Sequence, residues 1–235
     1  MKIIAIDSSG LVASVAIATE DTIIAEYTMD YKKTHSQTLL PMLDEISKAI
    51  ELDMQSIDAI AVSAGPGSFT GLRIGSATAK GLALALQKPI IAVPTVETLC
   101  MNVWGTADVV CPIMDARRNQ VYTGYYDFDE VGRLNVIKSQ FAEEIHVVIS
   151  ELNEIGRSVV FLGDGVPVYK DVIEQEANIK YRLAPSHMAK QRAGSLAVRA
   201  FDYIQEGNVQ KASEHAPIYL RMSQAERERA EKLNG

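Results

Sequence analysis

The chain has 235 residues, 47% hydrophobic and 23% charged, which suits one large globular domain or two small ones. Its net charge of −7 gives no electrostatic footprint for nucleic acid, so any contact with RNA falls to another subunit's basic surface. Cys100 and Cys111 lack the paired spacing of a zinc site. The apolar run after Met1-Lys2 is too short for a signal peptide, and Lys80, Lys88 and Glu97 interrupt the apolar stretches before a membrane span; a reducing, cytoplasmic location without membrane contact is expected.

In chain order, residues 2–7 predict a first strand, closed by Asp7 before a turn at Ser8-Ser9-Gly10-Leu11. Residues 12–18 alternate around Ser14 as a second strand, and residues 22–29 follow as a third after the turn at Glu20-Asp21. A helix is expected over 36–51, where Leu39, Leu40, Leu43, Ile46 and Ile50 stand near helical spacing. Pro41 belongs close to its first turn, because a deeper proline breaks the backbone ladder. Strand 57–64 then runs into Gly65-Pro66-Gly67-Ser68-Phe69-Thr70-Gly71-Leu72-Arg73-Ile74-Gly75, which opens a helix over 70–87 before strand 89–94.

A glycine-dense turn from strand to helix is where a parallel sheet meets a ligand or a partner. No Lys-Ser/Thr pair follows these glycines, so the loop is not a phosphate-gripping P-loop. In the helix behind it, Gly71, Gly75 and Ala79 lie one turn apart, and Ala77, Gly81 and Ala85 make a second small row. A helix glycine costs roughly 1 kcal/mol relative to alanine. Close packing must offset that cost, against the sheet or against another subunit's helix.

The second half repeats the order more weakly. Residues 109–114 end at Asp115 as residues 3–6 end at Asp7; strands 120–126 and 134–139, helix 142–152, strand 158–162 and helices 166–176 and 190–205 follow. The charged stretch 221–235 pairs Arg227 with Glu231 and Glu228 with Lys232 at helical spacing, as a solvated terminal helix does. The whole is an α/β chain of duplicated βββαβα units, the pattern of the actin/Hsp70/sugar-kinase-like superfamily. It divides into a first unit over 1–103, a degenerate second unit over 104–220 and a tail over 221–235.

Few residues offer chemistry. Asp7 reads either as a contact to phosphate or to a Mg²⁺-bound water, or as a turn former bonded to its own backbone. Asp115, its counterpart, precedes Ala116-Arg117-Arg118-Asn119, a turn without glycine. Side chains there hold backbone amides away from a pyrophosphate, leaving Arg117 and Arg118 to meet a phosphate by charge or to form ion pairs across a cleft. Gly163-Asp164-Gly165 stands where an adenine-binding turn would lie, and plain turn chemistry explains it equally well. None of His35, His146, His187 and His215 has a second histidine four residues on, and His35 suits a polar helix start. Nothing assembles a Ser/His/Asp triad, and the apolar surroundings of Cys100 and Cys111 favour inert thiols.

Several stretches resemble one family: Ile4-Ala5-Ile6-Asp7-Ser8-Ser9, His35-Ser36-Gln37-Thr38-Leu39-Leu40-Pro41, the glycine loop 65–75, Asp115-Ala116-Arg117, Val121-Tyr122 and Pro217-Ile218-Tyr219-Leu220-Arg221. The chain is similar to TsaB (YeaZ), the non-catalytic subunit family of the bacterial tRNA threonylcarbamoyladenosine machinery. The resemblance implies a lost metal site: where the related catalytic subunit TsaD carries a His-x-x-x-His pair, this chain has Thr95 and Leu99, and leucine has no donor atom. It implies no catalytic residue, cofactor or metal, with Asp7, Asp115 and Arg118 the weak candidates for a nucleotide contact. The partners it implies are a TsaD-type catalytic subunit, a TsaE-type ATPase and, alone, a second copy of the chain, with tRNA met only through the complex. The implied interface lies on the first-domain helices, at His35, Leu39, Leu43, Gly71, Arg73, Gly75 and Ala79. Two other readings remain: an active ATP-dependent kinase or ATPase of the superfamily, and a metallopeptidase-like enzyme.

Overall fold

The structure, a computed structural model, describes residues 1–221. The helix expected over 221–235 lies, beyond Arg221, outside the described residues.

The first sheet comes from β1 (Lys2–Asp7), β2 (Ala13–Thr19), β3 (Ile23–Met29), β4 (Ala59–Gly65) and β5 (Ile90–Pro94), in the spatial order β3-β2-β1-β4-β5. The first three pair antiparallel through short turns. β4 and β5 join in parallel, because α1 (His35–Ala49) and α2 (Phe69–Leu86) supply the crossovers that parallel pairing requires. Strand β1 is apolar at every position from Ile3 to Ile6 because both of its faces are buried. One face packs under α1 and α2, through Ile4, Ile6, Val15, Leu39, Leu43 and Ile60. A short helix, α3 (Thr95–Cys100), leads into the second half.

That half contains β6 (Val109–Pro112), β7 (Met114–Asp115), β8 (Gln120–Phe128), β9 (Leu134–Glu144), α4 (Ile145–Ile155), β10 (Val159–Leu162), α5 (Val166–Glu176), β11 (Tyr181–Leu183) and α6 (Ala193–Gln205). β10 lies parallel to both β6 and β11, while β7 and β9 pair antiparallel with β8. The first half thus carries the expected βββαβα order, and the second carries it with its first strand broken into β6 and β7, which both pair with β8. Among the described residues no helix is long and apolar enough to cross a membrane.

Three local expectations change. Strand β9 runs on to Glu144, because β8 pairs it down to Gln120 opposite Glu144, and the helix starts at Ile145 rather than 142. Pro41 stands in the second turn of α1, where both it and Gln37, whose carbonyl its ring deprives of a partner, are exposed. Helix α6 follows the second sheet in sequence yet packs on the first. Ala193, Leu196, Ala197 and Ala200 lie against Ile3, Ala5, Ala16, Ala18 and Ala61, a sheet face whose alanines admit a helix closely. The expected span 104–220 therefore does not keep to one sheet. Buried Arg199 anchors α6 to α3, donating from Nε to Glu97 Oε2 at 2.9 Å, and Tyr203 donates to the same oxygen at 3.1 Å.

Candidate functional site

Strand β1 ends at Asp7, whose carboxylate is fully buried. Its Oδ1 accepts from the Ser9 amide at 2.9 Å and the Ser9 hydroxyl at 2.7 Å, and its Oδ2 accepts from the Ser63 hydroxyl at 2.5 Å. Burial raises its pKa above the ordinary 3.8, against the pull of those hydrogen bonds. Every described bond of Asp7 goes to its own turn and to β4, the pattern of a turn-forming aspartate.

The glycine loop lies directly on that turn. The Ser68 amide donates to the Ser9 carbonyl at 2.7 Å, and Ser68 Oγ caps α2 by accepting from the Gly71 amide at 3.3 Å. A Cβ on Gly67 would stand 2.2 Å from Ser9 O, and one on Gly71 2.0 Å from Ser8 O. The second half repeats the device. A Cβ on Gly163 would stand 2.2 Å from Ile113 O, and one on Gly165 2.9 Å from the same atom. In both halves the glycines let one turn pack against another turn of the same chain, and the Ser9 amide that could meet a phosphate is already bonded to Asp7.

Between the halves lies a cleft of about 740 Å³, lined among others by His35, Thr70, Asp115, Arg117, Asp164 and Arg221. His35 points its Nε2 at the Gly10 carbonyl at 2.9 Å, so that nitrogen carries the proton. Asp115 Oδ1 accepts from the Arg117 amide at 2.8 Å and from the Tyr169 hydroxyl at 3.0 Å. Asp164 Oδ1 accepts from the Asp115 amide at 3.3 Å, and burial with the nearby Asp115 charge raises the Asp164 pKa. The turn from β7 to β8 holds Arg117, Arg118 and Asn119 at φ 64°, 56° and 60°, three successive left-handed residues without a glycine. Arg117 lines the cleft; Arg118, the sequence candidate, is exposed beside it. Two acidic groups thus share the cleft with the arginines.

The nominated interface residues mostly face inward. Leu39, Leu43 and Ala79 belong to the first core, and a Cβ on Gly75 would stand 2.3 Å from Ser8 Oγ. The row Gly71, Gly75, Ala79 therefore packs on the sheet and its turn, the first of the two placements that its spacing allowed. The other row is turned outward: Ala77, Gly81 and Ala85 are exposed, and a Cβ on Gly81 would meet nothing within 4 Å. Arg73 heads that row and is exposed; Leu84 beside it is 68% exposed and Leu40 on α1 53%. Helical spacing revealed both rows, but only contact with Ser8 shows which one the sheet takes.

Thr95 and Leu99 on α3 are both fully buried, Leu99 inside the apolar cluster between the halves. Burial pushes the Cys100 thiol well above its ordinary range and the Cys111 thiol up to about 12, which keeps both unreactive.

A family model described as TsaD, tRNA N6-adenosine threonylcarbamoyltransferase, matches residues 22–229. The tRNA threonylcarbamoyladenosine biosynthesis protein TsaB of Bacillus subtilis (strain 168) is 35% identical over 230 residues, covering 96% of both chains. The protein of the same description in Escherichia coli (strain K12) is 31% identical, covering 94% of this chain and 95% of its own. Among solved structures, YeaZ from Pseudomonas aeruginosa superposes with a TM-score of 0.77 at 27% identity, over 93% of this chain and 100% of that one.

Proposed function

The chain belongs to the TsaB (YeaZ) family, and on that premise we propose that it serves tRNA threonylcarbamoyladenosine biosynthesis as a non-catalytic cytoplasmic subunit. In this reading it binds and stabilises a TsaD-type catalytic subunit, works with a TsaE-type ATPase, pairs with itself when alone and meets tRNA only through the complex. The docking surface is the outward face of α2 and α1: the row Arg73, Ala77, Gly81, Ala85, with Leu84 and Leu40.

The observation that carries this reading is Gly81. A glycine in the middle of an 18-residue helix costs roughly 1 kcal/mol, and no described neighbour uses the space it leaves. A second helix laid on the row would use it. The non-catalytic role is supported by the two glycine turns, whose close approaches are spent on Ser8, Ser9 and Ile113 of the same chain. The charge of −7 supports contact with tRNA through other subunits.

The test is reconstitution of threonylcarbamoyl transfer from purified subunits. Transfer should require this chain in addition to the catalytic subunit and the ATPase, and the chain alone should give none. Undiminished transfer without it, or ATP turnover by the isolated chain near typical enzyme rates of about 10 per second, would refute the reading.

A further inference from the structure

The five residues Pro217–Arg221 touch both halves in succession. The Ile218 amide donates to the Ala64 carbonyl at 2.7 Å, continuing the end of β4, and Ile218 O lies 2.3 Å from where Gly65 would carry a Cβ. Gly65 has a φ of +117°, so glycine is required there on two counts. The Tyr219 ring stacks on Phe69 at the start of α2, with centroids 4.7 Å apart and planes 10° from parallel. Its hydroxyl accepts from Arg73 Nε at 3.2 Å, and the Arg73 guanidinium lies 5.8 Å from the ring centre. Leu220 packs on the cluster formed by Val96, Leu99, Val110 and Met114 between the halves. Arg221 Nη1 then crosses the cleft to donate to the Ala116 carbonyl at 2.5 Å, at the start of the left-handed turn.

We propose that Pro217–Arg221 is a strap that sets the width of the cleft and couples it to the outer row of α2. Each residue after Pro217 holds a different part: β4, α2, the shared cluster and the second-half turn. Arg73 is the handle. It heads the exposed row Arg73, Ala77, Gly81, Ala85, and its described contacts are both to Tyr219. A subunit seated on that row engages or displaces the Arg73 guanidinium, which loosens Tyr219 and, through Arg221, the turn at Ala116. The coupling to a partner rests on the docking face proposed above; the hold on the cleft does not.

Paired spin labels test both parts. Labels at Gln37→Cys on α1 and Val168→Cys on α5 occupy exposed sites on opposite halves, while native Cys100 and Cys111 are buried. Arg221→Ala should broaden the inter-label distance distribution and shift it to longer values. Tyr219→Phe, which keeps the stack and loses the hydroxyl that Arg73 holds, should shift the free chain's distribution part of the way and reduce the further shift produced by adding the catalytic subunit. Folding of each variant is read from its melting curve, and Arg221→Gln replaces Arg221→Ala if the latter does not fold. Superimposable distributions for the folded Arg221 variant and its parent overturn the strap. An equal partner-induced shift in Tyr219→Phe overturns the coupling. A catalytic subunit that binds neither form refutes the docking face and leaves the strap to the free-chain comparison.

Discussion

The Ser8 carbonyl oxygen lies 2.0 Å from the point where Gly71 would carry a Cβ. That approach fixes which side of α2 faces the sheet. Gly71, Gly75 and Ala79 look inward, and Arg73, Ala77, Gly81 and Ala85 look out.

Two alanine substitutions on one helix should therefore move in opposite directions. Gly71→Ala forces the Ser8 turn to shift and should cost about 1–3 kcal/mol, the range of over-packing. Gly81→Ala meets open space and should gain roughly 1 kcal/mol from helix propensity. Urea unfolding of the two variants, read beside the parent, checks the orientation. A loss at Gly81 together with neutrality at Gly71 would reverse it.

The left-handed turn supplies a second expectation. Arg118 stands at φ 56°, where a side chain costs about 1–2 kcal/mol that glycine avoids, less the extra freedom glycine has in the unfolded chain. Arg118→Gly should raise the urea midpoint by the equivalent of about 1 kcal/mol without changing the slope.

Asp7 should leave a signature in the pH dependence of stability. Burial raises its folded pKa above 3.8, so the folded chain holds this proton more tightly than the unfolded chain. The contribution is fully present below pH 3.8 and is lost as pH rises through the folded pKa. The stability of the parent relative to Asp7→Asn should fall over that window and then level off. A difference that is flat from pH 3 to 8, or that grows with pH, would contradict the burial argument.

The pairing of Arg199 with Glu97 ties α6 back to the first half. Both side chains are buried, so Arg199→Leu strands a carboxylate in the interior and should cost about 3–5 kcal/mol. A melting temperature unchanged by Arg199→Leu would show that α6 is held by its alanine face alone.

Most of this architecture was legible in the order of residues. The apolar run Ile3–Ile6, the alternation around Ser14 and the second apolar run ending at Asp115 place the strands and reveal the duplication. What escaped depends on neighbours remote in sequence. The two small rows of α2 look equivalent until Ser8, 63 residues earlier than Gly71, occupies one side. The turn at 117–119 is left-handed without a glycine at any of the three positions, so composition gives no hint of it. Helix α6 carries alanines on one face, but nothing local says which sheet they cover. The strap joins Arg73 to Tyr219 across 146 residues, and only its motif, Pro217-Ile218-Tyr219-Leu220-Arg221, was visible.

Seating of a TsaD-type subunit on the outer row of α2, as proposed above, is read from sedimentation of this chain with the catalytic subunit from the same genome. The parent chain and Gly81→Trp are compared at equal melting temperature. A discrete complex is expected with the parent and none with Gly81→Trp, whose indole fills the groove that the partner's helix would occupy. A complex of undiminished affinity with Gly81→Trp, or no complex with the parent, would contradict that seating.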